Sequence, residues 1–387
     1  MSETLLVDPI LRDVGHIVDR DPRRASPVDL PADLRVVSAD NHLEISDDVF
    51  FERFPEHLKD KAPRVWFDRY WHIGYLGEVE ALKLGSRGTD ALVKCNLPTV
   101  GDVDAHLEAM DAEGVAFEIL FPQTLIGFIR YPDLAVQEEM YRIYNEYTIE
   151  RLARTGGRSV PVAVFSNWWD PDAAERAMQQ ILDLGYKTFM VPSKPGKDLN
   201  GKELSYADEH FDRFWTLAND AGLPVCFHIG EAVDIDRRGG VGAANMVLGA
   251  PFRAPFGQLV FGGVFDRHPR LQVVFAEGGI AWVPPALQDA EAQFDNFPGI
   301  LDPIEHRPSH YWHKHCFATF QNDRLGLSQI DIIGADRALW ASDFPHSEGS
   351  YGYGRSSMKA VVDAVGEDKA RLILGENAIE LFRLDAA

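Results

Sequence analysis

Short apolar runs alternate with longer segments of helical periodicity from residue 35 onward. Runs rich in β-branched and aromatic residues predict strands, and their alternation with helices is typical of βαβ units around a parallel sheet. Eight strands are predicted: LRVVSAD ending at Asp40, VAFEILFPQ at Gln123, SVPVAVFS at Ser166, YKTFMVPS at Ser193, LPVCFH at His228, LQVVFAE at Glu277, CFATFQND at Asp323 and RALWASD at Asp343.

Helical periodicity predicts helices between these strands, at residues 102–113, 134–154, 171–184, 207–221 and 357–365, several with Asp or Ser near the N-cap. Eight such units predict an α/β fold, a closed (β/α)8 TIM barrel. A doubly wound open sheet is the competing arrangement. The segment after the first strand, SADNHLE, lacks the glycine fingerprint of that fold, which favours the barrel.

Two stretches interrupt the repeat and are predicted as loop insertions at the C-terminal face of the barrel. They are residues 44–101, which contain several Trp and Tyr residues, and residues 229–251, which are rich in Gly and Ala. Loops at this face build pockets and lids. Trp66, Trp71 and Tyr75 are therefore predicted to form pocket or lid walls, with interface packing as the alternative.

The chain length favours one large domain, because α/β barrels with insertions reach this size as a single unit. The barrel is predicted over residues 34–387, preceded by a polar, Pro-rich N-terminal arm over residues 1–33. The arm either reaches another subunit or forms a loose tail. Together with the Trp-rich first insertion, it predicts a homo- or hetero-oligomer.

The formal net charge of −22 disfavours binding to nucleic acid or an anionic membrane, because no Lys/Arg cluster offsets the repulsion. A small-molecule substrate is expected instead. No apolar run reaches the ~18 residues that span a bilayer, and the first residues lack the features of a signal peptide. We therefore expect a cytoplasmic protein in which Cys95, Cys226 and Cys316 are reduced thiols.

His, Asp and Glu recur where the predicted strands end, and in an α/β barrel those ends converge on one opening. Asp40 and His42 are two residues apart, so in an extended segment their side chains point the same way. His228, Glu277 and Asp343 close the fifth, sixth and eighth predicted strands. Mixed imidazole and carboxylate ligands favour Zn²⁺, Mn²⁺ or Fe²⁺ over Ca²⁺ and Mg²⁺. The pattern predicts a site for a divalent transition metal.

Each of these residues also has an ordinary structural interpretation. Asp40 alone is consistent with a helix cap and His42 with a packed loop residue, while His228 follows the apolar PVCF and is consistent with a satisfied core histidine. Asp343, ahead of Pro345, is consistent with a turn. Their joint placement after strands one, five and eight favours the metal site, with Asp343 as the base for a metal-bound water.

Six motifs occur in order between about residue 34 and residue 384: VVSADNHLE, HLEAMDAEGVAFEILFPQ, PVCFHIGE, VVFAEGGIAWVPPAL, WASDFPHSEG and ENAIELFRL. Together they resemble the amidohydrolase superfamily, and in particular its amidohydrolase-related branch. That branch includes metal-dependent, non-oxidative decarboxylases of amino-carboxymuconate-semialdehyde and resorcylate type.

The resemblance implies roles for individual residues. Asp40 and His42 fall on the first two ligand positions, as an acidic variant of the family's H-x-H, and His228 falls on the ligand after strand five. Asp343 falls on the strand-eight aspartate, which in the family binds metal and handles protons. His346 would lie behind the ligands or face the substrate.

Glu277 departs from the family pattern, because relatives often carry a histidine there that serves as acid/base or ligand. Three roles are open for Glu277: ligand to a second metal ion, proton shuttle, or hydrogen-bond partner of a neighbouring loop. Glu44, two residues beyond His42, would add a carboxylate near the same mouth. The usual carboxylated lysine has no evident counterpart, since strand four ends in VPSKPG with Lys194 just beyond it.

Other histidines are predicted to lie away from this site. His306, His310, His313 and His315 precede the seventh strand, which places them at the opposite end of the barrel. His106 lies in an amphipathic helical segment and is predicted to be a surface or packing residue.

The leading hypothesis is a metal-dependent enzyme that hydrolyses or non-oxidatively decarboxylates a small carboxylated or carbonyl-bearing molecule. It would use one divalent metal ion rather than two, with Asp343 as acid/base and Glu277 and His346 beside it. The sequence leaves hydrolysis and decarboxylation open. Two alternatives use the same fold: a non-haem di-metal monooxygenase subunit with iron or manganese, and a catalytically silent partner subunit.

Overall fold

Strands and helices alternate along the chain, as the sequence pattern predicts. The computed structural model describes residues 30–31, 33–45, 48–67, 71–75, 82–84, 101–123, 125, 133–197, 201–230, 252–346 and 349–384. The strands are β1 (Val36–Leu43), β2 (Pro63–Phe67), β3 (Trp71–Tyr75), β4 (Leu82–Leu84), β5 (Val115–Pro122), β6 (Ser159–Pro161), β7 (Ala163–Val164), β8 (Phe189–Met190), β9 (Val225–His228), β10 (Val273–Ala276), β11 (Cys316–Phe320) and β12 (Ala338–Trp340). The α-helices are Val49–Arg53, Val103–Glu113, Leu134–Leu152, Pro171–Asp183, Asp212–Ala221, Arg253–Phe261, Val264–Arg267, Val283–Asn296, Pro308–His315, Arg324–Leu327, Ile330–Ile333, Gly354–Val365, Glu367–Arg371 and Asn377–Leu381.

Parallel strands build two hydrogen-bonded arcs, β1–β5–β6 and β12–β11–β10–β9–β8–β7. At one seam between the arcs, the amide of Asp343 donates to the carbonyl of Asp40 and the amide of His42 donates to the carbonyl of Phe344, both at 2.9 Å. The segment that continues β12 therefore lies beside β1.

At the other seam, the two arcs are joined by one interrupted strand, which consists of β6 and β7. Val162 separates β6 from β7, and its amide donates to the carbonyl of Leu120 in β5 at 2.9 Å. With β6 and β7 counted as one strand, the described residues form a ring of eight parallel strands. The predicted (β/α)8 barrel is confirmed, and the doubly wound open sheet is wrong.

Several strand ends differ from the prediction because of local backbone geometry. β1 continues beyond Asp40 to Leu43, whereas β12 ends at Trp340, before Asp343. Asp343 and Glu277 have φ angles of 57° and 66°. This left-handed conformation does not continue a strand, so the predicted ends at these two residues were too late.

Three of the five helix predictions are accurate at their N-termini, because their capping residues are correct. The side chains of Asp102, Asp133 and Asp170 accept hydrogen bonds from amides in the first turns of their helices. The helix predicted over 207–221 instead begins at Asp212, after a 3₁₀ turn at Glu209–Phe211.

The first insertion contains structure that the sequence did not predict. Within residues 44–101, β2, β3 and β4 pair as an antiparallel sheet in that order. The backbone of Trp66, Trp71 and Tyr75 lies in β2 and β3, but their side chains, predicted as pocket or lid walls, lie outside the described part of the structure. So do residues 1–29 of the arm and residues 231–251 of the second insertion.

Two predictions from composition concern thiols and membranes. Cys226 in β9 and Cys316 in β11 are buried free thiols, as predicted, and Cys95 lies outside the described residues. Over the described ranges, no helix combines the length and apolarity required to cross a membrane.

Candidate metal centre

The predicted ligands meet where the barrel strands end. Asp40 and His42 lie on β1, His228 ends β9 and Asp343 follows β12, and all four side chains are fully buried. One ligand-type atom from each of Asp40, His42 and His228 lies within 4.8 Å of the others. Three residues from two strands far apart in sequence thus form one compact polar group.

Asp40 lies closer to His228 than to His42 in this group. Nε2 of His228 lies 3.1 Å from Oδ1 of Asp40, whose Oδ2 accepts a hydrogen bond from Oγ1 of Thr319 at 3.1 Å. Nδ1 of His228 donates to the carbonyl of Ile229 at 2.7 Å. This bond keeps a proton on Nδ1 and leaves Nε2 as the nitrogen that faces the site.

A second group of ligand-type atoms overlaps the first at His42. Oδ1 of Asp343 lies 3.1 Å from Nε2 of His42 and 3.0 Å from Nδ1 of His346. The rings of His42 and His346 have centroids 4.0 Å apart. Nε2 of His346 lies 3.0 Å from Oε1 of Gln123, which holds the ring in place.

Glu277 connects the two groups. Its Oε2 lies 3.4 Å from Nε2 of His228 and its Oε1 lies 3.6 Å from Nδ1 of His346. Its amide donates to Oγ1 of Thr319 at 2.7 Å. The left-handed backbone at Glu277 costs on the order of 1 kcal/mol for a non-glycine residue, and such strain concentrates at functional sites.

The surroundings shift the pKa values of the two carboxyl groups Asp40 and Glu277 in opposite directions. Burial opposes ionisation of Asp40, but His228, His42 and the Thr319 hydroxyl together hold its pKa below the usual value. Burial and the neighbouring Asp343 raise the pKa of Glu277 to about 8. One carboxyl group is therefore held ionised, and another holds a proton at neutral pH.

The two ligand-type histidines, His228 and His42, also differ in the direction of their pKa shifts. Burial lowers the pKa of His228, but Asp40, Glu277 and the carbonyl of Ile229 together outweigh it and raise the pKa to about 9. Burial and the neighbouring His346 and His228 hold the pKa of His42 well below its usual value. His42 is therefore a neutral imidazole, which is the form that ligates metal ions.

The residues fit a divalent cation. Within the described part of the chain, neither ring nitrogen of His42 makes a hydrogen bond of good geometry, although the side chain is completely buried and Nε2 lies 3.1 Å from Oδ1 of Asp343. A buried polar atom without a partner is costly, and coordination to a cation would satisfy it. A cation would also offset the carboxylates of Asp40 and Asp343, which are otherwise expensive to bury together.

Some candidates from the sequence stay outside both groups. β1 ends at Leu43, and Oε1 of Glu44 accepts a hydrogen bond from the amide of Ile45 at 2.8 Å. The side chain of Lys194 is exposed. His315 directly precedes β11, and its Nδ1 lies 2.7 Å from the carbonyl of Leu271, away from the strand ends that carry the site.

Sequence reasoning missed several residues around the centre. Thr319 and Gln123 contact the candidate ligands directly, as described above. His106, interpreted as a surface or packing residue, is completely buried, with Nδ1 3.0 Å from Oε2 of Glu118. The signal available in the sequence was a single polar residue inside an apolar strand: Thr319 in CFATF and Glu118 in VAFEILF.

Comparison with known proteins places the chain among characterised relatives. Residues 98–384 match the model of a family described as Amidohydrolase. The 2-amino-3-carboxymuconate-6-semialdehyde decarboxylase of Dictyostelium discoideum is 24% identical over 293 residues, which cover 73% of this chain and 77% of the relative. The gamma-resorcylate decarboxylase of Rhizobium sp. (strain MTP-10005) is 25% identical over 312 residues, covering 73% and 88%.

A solved structure supports the fold. The dihydroxybenzoic acid decarboxylase of Polaromonas sp. JS666, with bound manganese and an inhibitor, superposes with a TM-score of 0.67 at 17% identity. The match covers 92% of this chain and 98% of that chain. At this identity the likeness shows the barrel fold alone.

Proposed function

The chain belongs to the amidohydrolase family, and from this premise we propose that it is a metal-dependent carboxy-lyase acting on a small carboxylic acid. The observation that carries the proposal is the convergence of Asp40, His42, His228 and Asp343 on one buried site. Two relatives named as decarboxylases favour decarboxylation over hydrolysis. Their names also favour a substrate with a hydroxyl, amino or carbonyl group close to its carboxylate.

The proposed ligands are Asp40, His42, His228 and Asp343, with Glu277 beside them. When bound, a divalent transition metal ion orients the substrate oxygens and stabilises negative charge that develops on the substrate. Manganese in the related Polaromonas structure supports Mn²⁺, and the donor set also suits Zn²⁺ and Fe²⁺. We propose one ion, because both groups of ligand-type atoms share His42.

Decarboxylation needs a proton at a defined place. The bond from carbon to the carboxylate breaks, its electron pair stays on the carbon, and a proton takes the place of the departing carbon dioxide. We assign the acid/base role to Asp343. Nδ1 of His346 lies 3.0 Å from Oδ1 of Asp343 and 3.6 Å from Oε1 of Glu277, so this nitrogen can accept the proton held by Glu277 and pass it to Asp343.

The two alternatives from the sequence are not favoured. A di-metal monooxygenase would use Glu277 for a second ion, and a silent subunit would lack turnover, whereas the relatives above are named decarboxylases. The small-molecule substrate, the cytoplasmic location and the oligomer remain predictions.

The proposal is tested by measuring carbon dioxide release from the full-length chain loaded with Mn²⁺. The substrate panel contains hydroxylated and aminated benzoates and muconate-type acids, with amides and lactones as hydrolysis controls. We expect one carbon dioxide per substrate consumed, at the same rate with and without oxygen. Hydrolysis of the controls without carbon dioxide release, or turnover that requires oxygen, would contradict the proposal.

A further inference from the structure

Asn41 lies between two candidate ligands, Asp40 and His42, yet its side chain has no part in the proposed reaction. Successive side chains of a strand point to opposite faces, so the Asn41 amide lies behind the ligands rather than among them. The residue is 2% exposed. A buried amide in this position needs a structural explanation, and its contacts supply one.

The oxygen of Asn41 holds the segment that contains Asp343. Oδ1 accepts hydrogen bonds from Oγ of Ser38 at 2.8 Å, Oγ of Ser342 at 2.8 Å and the amide of Phe344 at 3.0 Å. Ser342 and Phe344 are the residues on either side of Asp343. The backbone that presents this carboxylate is therefore hydrogen-bonded to the side chain of β1 that separates the first two ligands.

The nitrogen of Asn41 points to a buried carboxylate. Nδ2 donates to Oε2 of Glu118 at 2.7 Å. The Glu118 carboxylate also contacts Nδ1 of His106 at 3.0 Å and accepts from Oγ of Ser159 at 2.7 Å. The ring of His106 in turn packs edge-on against Phe344, with centroids 4.9 Å apart.

These contacts fix which way the amide points. The amide of Phe344 can only donate, and an ionised Glu118 can only accept, so only one orientation of the Asn41 amide satisfies both. In the inverted orientation, the side-chain N–H of Asn41 would face the amide N–H of Phe344, and its oxygen would face the carboxylate of Glu118. Burial opposes ionisation of Glu118, but His106, Asn41 and Ser159 hold its pKa below the usual value.

We propose that Asn41 is a positioning residue for the metal site, and that Glu118 sets the orientation of its amide. The pair holds the Ser342–Phe344 backbone, and with it the Asp343 carboxylate, against β1. The inference rests on the metal site of the proposed function, but it does not depend on which reaction that site performs. Groups that orient metal ligands from behind commonly change metal affinity by about 10- to 100-fold when removed.

The test is the affinity of the metal-free, full-length chain for Mn²⁺, measured by calorimetric titration. Asn41→Ala is expected to weaken binding about tenfold or more. Asn145→Ala is the matched control, because Asn145 is 1% exposed and its amide bonds both backbone groups of Val164, on a strand without candidate ligands. The control is expected to bind Mn²⁺ within about threefold of the wild type, whatever stability it loses.

A second pair of variants keeps the test valid if Asn41→Ala does not fold. Glu118→Gln retains an oxygen for the Asn41 amide and is expected to keep Mn²⁺ affinity within about threefold, while Glu118→Ala is expected to lose about tenfold. Equal affinity of Asn41→Ala and the wild type, equal losses in Asn41→Ala and Asn145→Ala, or equal affinities of the two Glu118 variants would overturn the inference.

The outcomes also separate this inference from the proposed function. A wild-type chain that binds Mn²⁺ and releases no carbon dioxide contradicts the proposed function, and the positioning role still stands if the Asn41 variant binds more weakly. A wild-type chain that does not bind divalent transition metals contradicts both.

Discussion

Nε2 of His228 lies 3.1 Å from Oδ1 of Asp40, although 188 positions separate the two residues in the sequence. The parallel barrel brings the two residues together, because β1 and β9 both end at its C-terminal opening. The opposite nitrogen of His228 is bonded to a backbone carbonyl. The contact therefore joins a carboxylate and an oriented imidazole, which are two of the ligands proposed for the metal site.

Thr319 is expected to support this contact through its hydroxyl group. Oγ1 donates to Oδ2 of Asp40 and accepts from the amide of Glu277. Thr319→Val keeps the side-chain shape but removes both bonds, so we expect Mn²⁺ affinity to fall by about tenfold. Calorimetric titration of the metal-free chain measures the change.

Thr188→Val is the matched control for this variant. Thr188 is as deeply buried as Thr319, and its hydroxyl donates to the carbonyl of Pro224 at 2.8 Å. The two residues come just before β8 and β9 of the same barrel. Both variants are expected to lose about 1 kcal/mol of stability. If both also lose the same metal affinity, the Thr319 hydroxyl has no special role at the site.

Glu277→Gln distinguishes the three roles that the sequence left open for this residue. Glutamine has the same shape but cannot release a proton. We expect one Mn²⁺ per chain to remain bound and kcat to fall by about 100-fold, because the proposed proton relay would be lost. A loss of one of two bound ions would identify Glu277 as a ligand of a second metal, and an unchanged kcat would leave it only a structural role.

Asp343→Asn tests the acid/base assignment. The amide cannot accept and return a proton, so we expect kcat to fall by about 10²- to 10⁴-fold. Because Asp343 is also a proposed ligand, carbon dioxide release is measured at saturating Mn²⁺. A kcat close to that of the wild type under these conditions would remove Asp343 from the proton transfer.

Glu113 is expected to make stability depend on pH. Its Oε1 accepts from the amides of Gly352 and Gly354, and burial raises its pKa from 4.5 to about 7. The folded state therefore binds more protons than the unfolded state between these values. The free energy of unfolding should fall as pH rises through this window, by up to about 3 kcal/mol.

Glu113→Gln checks this expectation, because glutamine can still accept both hydrogen bonds but does not ionise. We expect the variant to gain stability over the wild type as pH is raised from 5 to 8, measured by urea unfolding. Parallel pH profiles for the two proteins would contradict the account of Glu113.

The barrel and its mouth could be predicted from the sequence because both follow from local patterns. Apolar runs alternate with helical segments, and Asp40, His42 and His228 lie at or near their ends. Glu44 illustrates the limit of this reasoning. Its spacing of two from His42 places it on the same face only while the strand continues, and β1 ends one residue earlier, at Leu43.

Long-range side-chain contacts could not be predicted in the same way. Asn41 is hydrogen-bonded to Phe344, 303 positions away in the sequence, and to Glu118, 77 positions away. Contacts at such sequence separations leave no periodic pattern of residues. His106 shows the same effect, because its helix pattern predicted a surface or packing residue but not the buried carboxylate that it contacts. These side-chain contacts form only in the folded barrel, where residues distant in the sequence lie side by side.

The most direct test of the central claim is the metal content per chain, measured by elemental analysis after reconstitution and removal of excess metal. The wild type is expected to retain about one divalent transition-metal ion, and His228→Ala less than about a tenth of that. Asn145→Ala serves as the folded control and is expected to retain the wild-type content. A wild-type chain without bound metal, or a His228 variant with the full wild-type content, would contradict the account.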